Sequence, residues 1–274
     1  MYTTTHNRSH PSPTPARPGG NAAVADLGTP AWVEHTGGQL SGAERRSLLG
    51  PVARTHAANA AGRLTMLVRS NSGRRARVAP SLLVPPTSAL TRAAVEEAQH
   101  RLSPALLNHS YRTFAFGAAL GALEGLTVAA ELLFAAALLH DTGLPTSDEN
   151  VDFTRRSARI ARDVAEEVGL SSAATETMRT AITLHTSPNV PLARGPVAYL
   201  LAAGAGVDAA GLRSWQLPSD VLVSVVEQHP RLGFKGEFTA AFRTEAARVP
   251  RGRAQFLRRY GAFDLAIKLA PFRG

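Results

Sequence analysis

His109, the adjacent pair His140–Asp141, His185 and Asp208 are the residues of this chain whose types could do chemistry. Imidazole and carboxylate are the remaining metal donors and acid–base groups, because the sequence contains no Cys and so no thiolate nucleophile or Cys-ligated metal. His140 and Asp141 close the most apolar stretch, ELLFAAALLHD, and Asp208 lies inside another, LLAAGAGVDAAGL. A carboxylate buried in such surroundings costs several kcal/mol unless something compensates it, and a bound cation is one good compensation. Taken singly, Asp208 also suits a cap or loop between glycines, and His109 suits a hydrogen-bonded core histidine. The adjacent pair is the more telling signal. Ser110 has no visible His–Asp orienter, which argues against a serine-hydrolase triad.

Helices must position these groups. Apolar residues recur at helical spacing almost throughout from about residue 40, and alternating β-branched strands are absent, so the fold class is all-α with roughly ten helices. Ser41 caps a helix through ERRSLLGPVARTHAANAAGRL that Pro51 should kink or split. Residues 70–87 read as a loop, and Ser88 opens a helix to about His100. Ser103-Pro104 begins the helix carrying His109. Thr127 begins one that is apolar nearly all round, hence buried, and ends at His140–Asp141. Thr154, Ser171 or Ser172, Pro196, Pro218-Ser219 and Phe234 begin the rest. Arg155, Arg156, Arg159 and Arg162, opposite Glu166 and Glu167, read as a solvated face.

Residues 1–22, rich in Pro, Ser, Thr and Gly, read as a disordered tail, and 23–274 as one helical domain. That tail has no apolar h-region, and no apolar run reaches the ~18 residues of a membrane span, so a cytoplasmic location is expected. The net charge of +9 sits on the flanks: segment 63–77 holds five Arg and no acid, 243–274 holds eight basic residues and two acids, whereas 104–213 holds eight Arg and eleven acids. The chain lacks zinc-finger, RNP or basic-zipper patterns, so nucleic acid is disfavoured as a partner. Its glycine clusters follow no strand, which excludes a dinucleotide fingerprint.

In order and rough spacing, His109, His140-Asp141 and Asp208 resemble the HD-domain superfamily of helical metal-dependent phosphohydrolases and related enzymes. The wording NHSYRTFAFG, ELLFAAALLHDTG and AITLH is similar to the cyanamide-hydratase-like branch, over about residues 103–213. The resemblance implies that His109, His140, Asp141 and Asp208 hold one divalent metal ion, Zn²⁺ or Fe²⁺ foremost, with Mn²⁺, Co²⁺ and Ni²⁺ as alternatives. Residues 140 and 141 differ by about 100° around a helix, so both can reach an ion beside its end. A metal-activated water would hydrate or hydrolyse a small molecule, with Asp141 able to take the water's proton. His185 falls where that branch has a further active-site histidine. It could act on substrate, ligate a second metal, or serve only as a helix-end dipole partner. Arg112, on the same helical face as His109, holds an anionic substrate, orients a ligand carboxylate, or forms a structural salt bridge. Two alternatives to hydration stand beside it: a phosphohydrolase acting on a nucleotide, and a non-catalytic binding module. A homo-oligomer is compatible with either. No function is inferred from the flanks 23–100 and 214–274.

Overall fold

The computed structural model of the chain describes residues 27–146 and 150–273. The tail expected over 1–22 lies outside them. The elements are α1 (Pro30–Thr36), α2 (Gly42–Leu67), α3 (Ala89–Arg101), α4 (Pro104–Leu123), α5 (Ala130–Leu139), α6 (Phe153–Glu167), α7 (Ser172–Leu184), α8 (Pro196–Ala210), α9 (Ser219–Gln228), α10 (Phe234–Arg248), α11 (Arg253–Tyr260) and α12 (Phe263–Lys268). The fold is all-α. Among the described residues the only β-type pairing is an isolated bridge between Gln39 and Gly252. No helix there is long and apolar enough to cross a membrane.

Local chemistry explains most of the helix starts. The hydroxyls of Ser41, Ser88, Ser103 and Ser171 each accept a hydrogen bond from an amide of the first turn of the following helix. Each such cap contributes about 1 kcal/mol. Three expectations shift. Helix α2 runs unbroken through Pro51, because the carbonyl that loses its amide partner belongs to Ser47, an exposed residue that water can satisfy. Helix α5 begins at Ala130 instead of Thr127, and Asp152, not Thr154, caps α6 by accepting from the Thr154 amide. The short helices α1, α11 and α12 were not expected.

Helix α5 is the axis of the core. Every residue from Leu133 to Leu139 is buried, and α3, α4, α6, α7 and α8 surround it. This is what an apolar run without a polar face requires. Helices α4 and α8 lie against each other more closely than side chains would permit. A Cβ on Gly204 would sit 2.1 Å from the Thr113 carbonyl, and one on Gly117 would sit 2.7 Å from the Leu200 carbonyl. Both glycines therefore set the distance between the helix that carries His109 and the helix that carries Asp208.

The C-terminal segment is fastened to this core by buried ion pairs. Arg156 donates to Glu245 at 2.6 Å and to the Gly143 carbonyl at 2.9 Å. Arg253 donates to both carboxylate oxygens of Asp152 at 3.3 Å and to the Thr183 carbonyl at 2.5 Å. Arg156 is thus not part of a solvated face. It points inward because α10 supplies a carboxylate there, while Arg159 and Arg162 remain exposed.

Gly204→Ala is expected to force α4 and α8 apart and to destabilise the protein by about 1–3 kcal/mol, the usual range for overpacking. Urea unfolding checks this as a lower midpoint at unchanged slope. An unchanged midpoint would show that the crossing has slack.

Candidate metal centre and its cavity

Helix geometry brings three histidines to one carboxylate. His109 comes from the second turn of α4, His140 and Asp141 from the end of α5, and His185 from the end of α7. The Nε2 atoms of His109 and His140 are 3.3 Å apart. Oδ2 of Asp141 lies 3.3 Å from His140 Nε2 and 3.6 Å from His109 Nε2, and Oδ1 lies 3.7 Å from His185 Nε2. The donor atoms of His109, His140 and Asp141 fall within 4.8 Å of one another, and all three residues are buried.

Each imidazole has its other nitrogen fixed. His140 Nδ1 donates to the Ala137 carbonyl and His185 Nδ1 to the Ile182 carbonyl, both at 2.7 Å, and His109 Nδ1 donates to Asp208 at 2.7 Å. A carbonyl can only accept, so Nδ1 carries the hydrogen and the neutral ring presents a lone pair at Nε2. Lone pairs from three rings therefore converge on Asp141, neither of whose buried oxygens has a hydrogen-bond partner. Such an arrangement suits a cation. These donors fit a divalent metal, with His109, His140 and Asp141 as the compact set and His185 beside it.

The charges within the group follow from burial and from these neighbours. Burial alone would raise the Asp141 carboxyl, but the charge of His140 beside it holds it below the usual carboxylate range. Burial lowers His140, yet Asp141 outweighs it and the net direction is up, so a proton can take the cation's place. His185 falls to about 3, first through burial and then through the charge of His140, and so stays neutral.

Asp208 and Arg112 are bound to each other. Both oxygens of Asp208 are taken: Oδ1 accepts from Arg112 Nε at 2.7 Å and Arg231 at 2.6 Å, Oδ2 from Arg112 at 3.0 Å and from His109 Nδ1. Its compensation is two guanidinium groups and an imidazole N–H, and it lies outside the compact donor set. Burial would raise its carboxyl, but the His109 hydrogen bond and the Arg112 charge hold it low. Arg112 also donates to the His229 and Pro230 carbonyls, at 2.8 and 3.2 Å. Each of its three nitrogens is thus engaged, two of them in orienting the Asp208 carboxylate. Arg231 and Phe234, whose ring stacks on His109 at 4.6 Å, belong to the flank from which nothing was inferred. No periodic signal marks them there.

His109, His140 and His185 open onto a cavity of about 560 Å³. Tyr199, Ala202, Ala203, Gly206, Ala209 and Ala210 line it from one face of α8. Val52 and Asn59 of α2, Phe238 and Phe242 of α10, and Phe263 of α12 complete its walls.

A family model described as HD domain matches residues 106–223, a span that holds His109, His140, Asp141, His185 and Asp208. The match reaches past the expected core into α9. It supports an HD-superfamily assignment for this segment, whose members are in general metal-dependent hydrolases. No curated protein matches the chain.

Two substitutions separate ligand from positioning residue. His140→Ala should lose the metal after dialysis, as read by elemental analysis. Asp208→Asn should keep one equivalent but bind it ~10–100-fold more weakly, the usual effect of losing a partner that orients a ligating histidine. It should also lower stability by about 3–5 kcal/mol in urea, since Arg112 and Arg231 lose their counter-charge. Complete metal loss without destabilisation would make Asp208 a ligand.

Proposed function

We propose that the protein is a metal-dependent hydrolase or hydratase that adds water to a small, non-phosphorylated molecule, with cyanamide-hydratase-like chemistry as the nearest resemblance. The observation that carries this reading is the pair of unpartnered Asp141 oxygens facing three Nε2 lone pairs at the wall of a cavity. His109, His140 and Asp141 would hold the ion, Zn²⁺ or Fe²⁺ by the character of the donors. When bound, such an ion supplies Lewis acidity, making water acidic enough to attack near neutral pH and polarising an electrophile.

The chain's own groups have separate tasks. Asp208, held by Arg112 and Arg231, fixes the His109 ring so that Nε2 faces Asp141. The Ala137 and Ile182 carbonyls do the same for His140 and His185. His185 is neutral and lines the cavity, so its Nε2 can accept a hydrogen bond from the attacking water, helping Asp141 to draw off its proton, or from the substrate. Asp141 is the group able to hold that proton. The phosphate-ester alternative is less well supported. Phosphate needs converging cationic donors, but Arg112 and Arg231 are bound to Asp208. Arg213 is engaged by Gln216, Tyr199 and Glu124, which leaves Arg54 as the exposed guanidinium among the cavity-lining residues.

A paired screen tests the proposal: metal-loaded protein against cyanamide, nitriles and amides with urea or ammonia detection, and against nucleoside monophosphates with phosphate detection. Turnover is expected in the first set, and His185→Ala should reduce it ~10²–10⁴-fold at unchanged metal content. Phosphate release alone would overturn the reading. Unchanged turnover in His185→Ala would remove His185 from the chemistry.

A further inference from the structure

The cavity is far larger than hydration of the smallest substrates requires. Drug-sized ligands occupy sites of ~300–1,000 Å³, and about 560 Å³ lies within that range. A three-heavy-atom molecule such as cyanamide would fill on the order of a tenth of it, taking a water's ~30 Å³ share as the scale. The walls are mainly apolar: Val52, Leu257, Phe238, Phe242, Phe263 and the alanines of α8. The apolar body of a ligand gains by entering such a space, whereas a charged group would lose its hydration there without a counter-charge.

Against this apolar lining stand two buried polar atoms without partners. Asn59 of α2 is 8% exposed, lines the cavity, and has no hydrogen bond to its Oδ1. Thr186, next to His185, lines the same cavity, and its Oγ1 is likewise buried without a partner. An unsatisfied buried acceptor costs about 1–3 kcal/mol. Asn59 faces inward because it shares the buried side of α2 with Leu48, Val52 and Gly62. Gly62 lets that helix approach the ring of Trp215, where a Cβ would come within 2.1 Å.

We propose that this cavity binds an uncharged molecule with an extended apolar body and an N–H donor of the amide or urea type, anchored by Asn59 and Thr186. Asn59 accepts the donor through Oδ1, and Thr186 can accept or donate at the end nearer His185. The inference builds on the hydrolase reading for its substrate class, but binding can be measured without the metal.

The test uses calorimetric titration of metal-stripped and metal-loaded full-length protein with hexanamide and benzamide, against hexanoate, benzoate and AMP. The amides should bind both forms of the protein more tightly than the carboxylates or AMP. Asn59→Leu, close in size, should weaken the amides about tenfold, the loss of one hydrogen bond, and Thr186→Val should also weaken them. Ala203→Phe, which places a ring in the cavity, should abolish binding while circular dichroism stays that of the parent protein. Absence of amide binding, equal or tighter binding of the carboxylates or AMP, or amide affinity unchanged in both Asn59→Leu and Thr186→Val would overturn the proposal. Amide binding without turnover would count against the hydrolase reading alone. Turnover indifferent to Asn59 and Thr186 would count against this inference alone.

Discussion

A single buried carboxylate organises the molecule. Asp208 is fully buried in the last turn of α8, within an apolar stretch of sequence, and an ionised group there is tolerable only with full compensation. Arg112 comes from α4, Arg231 from the turn before α10, and the third partner is the Nδ1–H of His109. The geometry of one charge therefore fixes the α4–α8 pair, the start of the C-terminal helices and the orientation of the His109 imidazole. Phe234, stacked on His109 and lying under both guanidinium groups at 5.4 and 4.8 Å, closes this cluster with an aromatic face.

The same logic recurs where the C-terminal segment meets the core around α5. Arg156 with Glu245 and Arg253 with Asp152 are buried pairs whose partners also hold backbone groups: Glu245 accepts from the Phe153 amide at 2.8 Å and Asp152 caps α6. Such pairs add little net stability over apolar replacements, but breaking one strands a charge. They therefore act as locators. What they locate is the wall of phenylalanines that lines the cavity beside the histidines and Asp141.

How much of this was legible in the sequence depended on how local the physics was. The serine caps and the burial of α5 follow from neighbouring residues, and both could be read directly. The grouping of His109, His140 and Asp141 was legible through its resemblance to a known pattern, and the burial of Asp208 through its apolar context. What compensates Asp208 was not legible. A guanidinium meets the same electrostatic need as a metal, and Arg231 lies in a segment whose arginines look alike. Arg156 shows the same limit, since helical spacing could not reveal that α10 would bring Glu245 to it. The cavity belongs to no segment at all. It is the space left when α2, α8, α10 and α12 pack, so no run of residues announces it.

Helix α8 is thin on two opposite sides for different reasons. Towards α4 it must be, because Gly204 and Gly117 let the two backbones touch. Towards the cavity, Ala202 and Ala203 present only methyl groups, and larger side chains there would take up cavity volume. Architecture and selectivity are thus encoded on separate faces of one element. A lineage carrying this fold could change the size of what it accepts by exchanges on the second face, while the first face, and with it the spacing between His109 and Asp208, remained under an independent constraint.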